Sequence, residues 1–361
     1  MSGIFGALQL SDNDRSYVNT IGQRVVYDAV KQLIEQHNED VRLAYGVFVG
    51  ETTSDFKRRY KLPGGGYLQK RAPNGKPGLV KAYGEWDIAL PLEDFGAGIG
   101  GNDVAIAYMT IQELDRHIDT VTMQNLNTIR REILVALLNN TNYSFVDPIN
   151  GTLTVVPLAN GDAVVYPPAA GSTDEATDSH YLESGYAYTA ISDTNNPFKV
   201  IHEELVQHNG GASGGESIAV FINPDETPYV EALTDFDPVN DRFVVPGANI
   251  DQVVGLPANL PGRVIGRCNE CWVVEWRWTP AHYMIGLELD PSVPRPLIER
   301  IDPVDTGLGS GLQLVAVDEK FPFTEAFYRN RFGFGVGNRL NGVVMEFGTG
   351  GTYTVPTAYA R

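Results

Sequence analysis

TIQELDRHIDTVTMQNLNTIRREILVALLNN, residues 110–140, reads as one long amphipathic helix. Ile111, Leu114, Ile118 and Val121 recur at spacings of three and four. After a small slip, Leu126, Ile129, Ile133 and Leu137 resume the pattern. Thr110 followed by Glu113 makes a capping box, in which hydroxyl and carboxylate satisfy N–H groups that a helix start leaves unpaired. The polar run Asn139 to Asn142, with Pro148 beyond, marks the stop. At 1.5 Å per residue such a helix is roughly 46 Å long, well past the usual three turns. A rod of that length is a backbone on which other segments are hung.

Working outward, the chain has 361 residues, 43% hydrophobic and 20% charged, which is enough for a packed core in one large domain or two. Its 38 glycines and 22 prolines predict many turns and strands outside the few helices. The net charge of −18 repels phosphate, which argues against specific nucleic-acid binding by the monomer while leaving enclosure of nucleic acid open. No apolar run approaches the ~20 residues needed to span a bilayer. The start, MSGIFGALQLSDNDR, lacks the basic opening and apolar core of a secretory signal. A soluble intracellular product without a membrane partner is expected.

Upstream of the helix lie two segments of different character. From Asp14 to His37 a helix is predicted, with Val18, Ile21, Val25, Ala29 and Leu33 as its apolar stripe. Either it packs in the core or it is an arm that packs on a neighbouring subunit. Residues 46–109 then form two strand-like arms around a tip at Ala72 to Pro77, where Asn74-Gly75 signals a hairpin turn. These arms carry Lys57, Arg58, Arg59, Lys61, Lys70, Arg71, Lys76 and Lys81. One reading is a solvated hairpin whose charges guard its edges. The other, favoured because so long an arm is poor in core residues, is an extension that meets the acidic surface of a partner. The eight basic residues are therefore the candidate inter-subunit contacts.

Downstream, residues 143–192 alternate short apolar runs with turn residues, and His180 in GSTDEATDSHYLES is assigned a structural role. A more regular unit follows. Asn196-Pro197 starts a helix with Phe198, Ile201 and Leu205 on one face, and SIAVFIN is a buried strand. Asn223-Pro224 starts a short second helix through Val230 and Leu233. Strands are expected at Val264–Gly266, Trp272–Trp278 and Tyr283–Leu289, with Trp272, Val274, Trp276 and Trp278 sharing one face. Residues 312–361 return to strand character.

Chemical motifs are sparse. Cys268 and Cys271, the only cysteines, form CNEC, which is half a zinc site or a redox pair. Its flanks alternate as a strand rather than opening a helix, so a plain strand or turn position is favoured. HEELVQH spaces His202 and His208 by six residues, about 240° apart on a helix, and they cannot share one ion as a zinc-protease pair does. GLGSG (307–311) and GFGVG (333–337) lack the strand-to-helix setting and third glycine of a dinucleotide site. No catalytic, cofactor-binding or metal-ligating residue is nominated.

Five stretches together carry a resemblance: LPGGGYLQKRAPNGKPG (62–78), WDIALPLEDFG (86–96), the helix from residue 111 to 140, PGRVIGRCNECWVVEW (261–276) and RFGFGVGNRLNGVVM (331–345). In this order they resemble the major capsid proteins of tailed bacteriophages, whose fold is called the Hong Kong phage or Johnson fold. The resemblance implies an α+β fold with an N-arm, an E-loop hairpin, a long spine helix in the P-domain and an α/β A-domain. It places the N-terminal arm with its helix at residues 1–45 and the E-loop with flanking P-domain strands at 46–109. The P-domain with spine helix 110–140 and hairpins takes 110–195, the A-domain 196–312, and return strands of the P-domain 313–361.

Its implied function is a structural, non-enzymatic one. Hexamers and pentamers of the chain would form an icosahedral virion shell around double-stranded DNA, assembled in the host cytoplasm. Separate scaffolding, portal and possible decoration proteins would be its partners. One branch of such proteins welds its shell with a Lys–Asn bond, for which Lys70 or Lys76, Asn338 or Asn341, and Glu346 are the candidates here. The rival readings are an encapsulin-like nanocompartment, a soluble β-rich enzyme using Cys268 and Cys271, and a tail or decoration protein.

Overall fold

The computed structural model describes residues 17–21, 23–61, 68, 70–71, 73, 75–76, 85–100, 108–147, 149–159, 165–166, 176–177, 179–207, 217–239, 260–291, 293–302, 310–316 and 325–361. The expected helix start at Asp14, the hairpin-tip residue Asn74, Lys81, His208 and the first three residues of GLGSG lie outside the described residues. The chain divides into two compact units. One comprises Met1–Leu43, Leu92–Glu132 and Ile301–Gly333; the other comprises Ala44–Pro91, Ile133–Arg300 and Phe334–Arg361.

In the first unit, helices Val18–Ile21 and Gln23–Tyr45 precede the long helix Ile111–Leu138, of which it holds residues 111–132. The predicted cap is present. The Thr110 N–H donates to the Glu113 carboxylate at 2.9 Å, and the Glu113 N–H donates back to the Thr110 hydroxyl at 3.3 Å. Strand Glu93–Gly100 lies antiparallel to Glu325–Val336, as does Gln313–Ala316 on the latter's other neighbour position. Val26, Val30 and Ile34 of the first long helix meet Leu114, Ile118 and Val121 of the second, with Leu312 just before strand Gln313–Ala316 and Ala326 and Tyr328 of strand Glu325–Val336.

This corrects the expected stripe. Val18 is buried as expected, but along Gln23–Tyr45 the buried ridge runs one position later than predicted, and Ile21, Val25, Ala29 and Leu33 stay exposed. The helix has apolar residues on two adjoining ridges, and periodicity alone does not choose between them. It also continues eight residues past His37, where Asn38 exchanges two hydrogen bonds of 2.9 Å with the backbone of Leu312.

The second unit is built on a seven-stranded mixed sheet. Its spatial order is Phe236–Pro238, Arg263–Cys268, Cys271–Glu275, Ile218–Ile222, Tyr283–Glu288, Val343–Glu346 and Tyr181–Glu183. Ile218–Ile222 runs parallel to Cys271–Glu275 and antiparallel to Tyr283–Glu288. All five of its residues are buried, the pattern of a strand covered on both faces. Helix Pro197–Val206 seats Phe198, Ile201 and Leu205 in the same core. The Asn196 side chain caps it by accepting from the Phe198 N–H at 3.0 Å. Gly286 allows the close approach, since a Cβ there would stand 2.3 Å from Ile201 Cγ2.

The expected strand Trp272–Trp278 ends at Glu275. A turn follows, closed by the Thr279 N–H donating to the Trp276 carbonyl at 3.0 Å. Trp276 leaves the alternation and stacks on Phe48 at 5.5 Å instead, with Phe221 edge-on at 5.8 Å. Val273 and Val274 are both fully buried, so neither face of this strand is a tryptophan face.

Thr110→Ala removes the hydroxyl of the cap and should lower stability by about 1 kcal/mol. Gly286→Val overpacks the helix–sheet seam and should lower it by about 1–3 kcal/mol. Urea unfolding of the unassembled chain measures both, and the absence of a loss in either variant would contradict the geometry just described.

Candidate subunit-contact surface

The basic hairpin belongs to the second unit. Strands Lys57–Lys61 and Glu85–Ala89 pair antiparallel, with Arg59 opposite Asp87. Arg59 makes a two-pronged contact with that carboxylate at 2.6 and 3.0 Å, and Lys57 reaches it at 2.7 Å. Hydrogen bonds from Arg59 and then Lys57 hold the Asp87 carboxyl well below the usual range. Arg58 grips Glu51 with two bonds of 2.7 Å and Asp55 with one of 3.1 Å. Three of the eight candidate contacts, Lys57, Arg58 and Arg59, are thus engaged by acids of their own chain. The signal for this was in the sequence, in Glu51, Asp55 and Asp87, but only the register brings them together.

Nearer the tip the pattern changes. Lys70, Arg71 and Lys76 are exposed, and Arg71 donates to the Gly75 carbonyl at 2.6 Å. Leu68 is 96% exposed. Nothing is described of the Lys61 side chain or of Lys81. The described surface therefore has neutralised strands and a cationic, partly apolar end.

Beneath this hairpin lies a pair that sequence reasoning missed. Arg300 is 1% exposed and contacts the equally buried Asp147 at 2.6 Å, while its other nitrogen donates to the Leu90 carbonyl at 2.9 Å. Asp147 also accepts from the Ile149 and Asn150 N–H groups at 2.9 and 2.8 Å. One guanidinium so joins hairpin 143–155, strand Leu297–Ile301 and the chain leaving the basic hairpin. Burial raises the Asp147 pKa, but the Asn150 and Ile149 N–H groups and Arg300 outweigh it and bring it to about 2.

The chemical motifs resolve as structure. Asn269 and Glu270 have φ of 46° and 65°, the left-handed pair of a two-residue hairpin turn, and Cys268 faces Cys271 across it. Both thiols are fully buried, and burial pushes Cys268 up to about 11 and Cys271 to about 12. A metal or redox role needs thiolates, which this setting suppresses. His180 is buried with Nδ1 3.2 Å from the Gly342 carbonyl, and His202 lies 3.4 Å from Glu270. Among the described residues no group of three or more His, Cys, Asp or Glu is arranged to hold a metal ion. No described helix is long and apolar enough to cross a membrane.

Two carboxamides proposed for a covalent weld are occupied. Asn341 is fully buried, accepting from the Glu288 N–H at 2.8 Å and donating to the Glu288 and Pro294 carbonyls at 3.0 Å. Cross-linking would expel its nitrogen as ammonia and forfeit the two bonds that nitrogen donates, which, with full burial, disfavours it as an acceptor. Asn338 donates to Pro294 O at 2.9 Å and accepts from the Leu340 N–H at 3.2 Å. Glu346 accepts from the Thr354 N–H, and so faces its own chain.

Glu226 is a further perturbed group. Burial raises its carboxyl to about 7, although it accepts from the His282 N–H at 2.7 Å. That bond holds His282 at φ 73°, so the carboxyl pins a strained turn.

The elements described above define a mixed α+β fold, the class expected from the sequence, and it is shared with solved structures. In particular, a solved structure from Mycobacterium phage Patience superposes with a TM-score of 0.70 at 19% identity, covering 98% of each chain. The mature capsid of bacteriophage PhiM1 matches at a TM-score of 0.48 and 10% identity, over 83% of this chain and 86% of that one. The capsid of Myoviridae phage XM1 matches at 0.45 and 9%, over 85% and 92%. These last two are too distant to bear an argument. No protein-family model and no curated protein matches the sequence.

Arg300→Met leaves Asp147 buried and unpaired and should reduce stability at pH 7 by about 3–5 kcal/mol. The folded pKa of Asp147 lies below its ordinary 3.8, so its contribution is present above that value and is lost as pH falls toward about 2. Acid unfolding of the variant should accordingly show that limb reduced, since the Asn150 and Ile149 N–H groups still hold the carboxylate. For Glu226 the sign is opposite: its folded pKa of about 7 exceeds the ordinary 4.5, so stability is full below 4.5 and declines as pH rises through 7. Glu226→Gln should flatten this decline, by an amount on the order of 3 kcal/mol at pH 8. Melting curves at pH 5 and pH 8 test it, and parallel losses in both proteins would refute the assignment.

Proposed function

We propose that the chain is the major capsid protein of a tailed double-stranded DNA phage, assembling as hexamers and pentamers into an icosahedral shell. The observation that carries this reading is the likeness to the phage Patience structure over 98% of both chains. On it, residues 1–45 serve as the N-arm and 46–109 as the E-loop. The helix from residue 111 to 138 is the spine of the P-domain, residues 196–312 are the A-domain, and 313–361 return to the P-domain. The cationic tip with Lys70, Arg71 and Lys76 is the part of the E-loop that reaches a neighbour, while Lys57, Arg58 and Arg59 stiffen its strands.

A net charge of −18 suits a wall that surrounds DNA without gripping it. Acidic surfaces facing cationic tips also favour lateral closure at a cost in salt tolerance. Scaffolding, portal and decoration proteins would be separate chains, the product would reside in the virion, and assembly would take place in the host cytoplasm.

Electron microscopy of the purified chain, alone and with a scaffold, should show closed polyhedral particles with five- and six-fold clusters. Reversing the tip by Lys70→Glu with Lys76→Glu should lower their yield several-fold at low salt. A chain that stays monomeric at high concentration under all these conditions would overturn the shell reading.

A further inference from the structure

Three polar side chains meet inside the first unit, one from each of its longest elements. Asn330 Nδ2 of strand Glu325–Val336 donates to Asn125 Oδ1 of the long helix at 2.7 Å. Asn125 Nδ2 in turn stands 3.2 Å from His37 Nε2 on helix Gln23–Tyr45. Asn125 and Asn330 are 8% and 3% exposed, whereas His37 is half-buried, so a proton from solvent can reach its ring.

The donors in this row all point one way. Asn125 uses its oxygen on Asn330 and so offers His37 an N–H, and two N–H groups cannot bond to each other. His37 Nε2 is therefore the unprotonated nitrogen, and the neutral ring carries its hydrogen on Nδ1. At the far end Asn330 Oδ1 is buried and has no hydrogen-bond partner among the described residues. Buried carboxamides rarely leave an oxygen idle.

A proton on His37 reverses the row. Nε2 then carries a hydrogen and needs an acceptor, which Asn125 supplies by turning its carboxamide end for end. The Asn125 nitrogen now faces Asn330, whose carboxamide turns likewise, and the idle oxygen accepts. Two hydrogen bonds exist before and two after, one of them now charge-assisted, so neither state leaves the row broken.

The surroundings leave the ring to set the direction. Among the described residues, burial holds the imidazole below its ordinary 6.5, and Asp40, one turn along the same helix, pulls it back in part. One turn to either side of Asn125 the long helix presents uncharged Val121, Thr122, Thr128 and Ile129, while Glu132, two turns on, is held by Arg131 at 2.8 Å. Tyr328 shares the strand face of Asn330, and burial pushes its hydroxyl up to about 12, so it stays neutral. Arg329 and Arg331 lie on the opposite face, paired with Asp94 and Asp302. The segment that meets Asn38 brings Gly311 and Leu312.

We infer that His37, Asn125 and Asn330 form a proton-set hydrogen-bond relay, in which protonation of His37 reverses both carboxamides and is registered on strand Glu325–Val336. That strand pairs with Glu93–Gly100 and Gln313–Ala316, so the state of a ring on a partly exposed helix reaches the interior of a sheet. As pH falls through the His37 midpoint the row changes direction without unfolding. The relay lies within the first unit and does not depend on the shell proposal.

NMR of the unassembled full chain, labelled with nitrogen-15 and assigned through the backbone, tests this between pH 5 and pH 8. At pH 8 His37 Nε2 should show the signal of an unprotonated ring nitrogen, and a protonated Nε2 there overturns the direction assigned to the row. The His37 ring should titrate below 6.5, and the Asn330 side-chain amide should shift with the same midpoint. In His37→Gln the Asn330 amide should stay still over this range, because a glutamine carboxamide donates and accepts without titrating. In Asn125→Leu the His37 ring should still titrate while Asn330 no longer follows. An Asn330 amide that ignores the His37 midpoint in the wild type overturns the relay, and a ring that merely swings out to solvent gives that result. So does an Asn330 amide that follows pH equally well in His37→Gln or in Asn125→Leu.

Discussion

Burial on every side of Ile133–Leu138, the last turns of the long helix, is the constraint around which the second unit is built. All six residues are at most 3% exposed. An amphipathic helix needs cover on one face only, but a helix apolar all round must be wrapped. The wrapping is specific. Leu158 donates its N–H to the Ala136 carbonyl at 2.9 Å, and the Tyr353 hydroxyl donates to the Leu138 carbonyl at 2.7 Å. Carbonyls that a helix end leaves unpaired are thereby satisfied by segments 22 and 215 residues downstream. Residues 111–132 of the same helix remain amphipathic and belong to the other unit. One continuous element thus changes its solvation requirement part-way along.

What the sequence made legible follows from how local each interaction is. Thr110 and Glu113 sit three residues apart, so their cap was readable, and so was the Asn196 cap of the next helix. The CNEC turn was readable for the same reason. The first helix was misassigned by one ridge because two adjacent rows are apolar, and which one is buried is decided by strands about 300 residues away. Arg300 and Asp147 are separated by 153 positions, so no pattern in the chain could announce their pairing. The tryptophan alternation failed because the strand ends at Glu275 and the chain turns, with the Thr279 N–H closing on the Trp276 carbonyl. Basic residues of the hairpin were visible as a patch, but their acids lay on the paired strand (Asp87), on an upstream strand (Glu51) and in the loop between (Asp55).

Those observations give the hairpin a division of labour. Its strands keep salt bridges to themselves, which limits fraying and masks edges against indiscriminate pairing. Among the described residues farther out, Lys70, Arg71 and Lys76 stay exposed, with Arg71 donating to the Gly75 carbonyl. The first helix repeats the theme, with one ridge spent in the core and one left over. A fold that satisfies its interior while leaving ordered, oppositely charged and apolar residues outside is suited to partners that are copies of itself, since each surface then has its complement on every other molecule.

The turn at Cys268 and Cys271 has a practical corollary. Two protonated thiols locked inside the sheet stay silent to alkylating reagents while the strands hold together. Their capture by a dye would then report the moment the sheet opens. The molecule carries, in its only sulfhydryls, an internal stopwatch for its own unfolding.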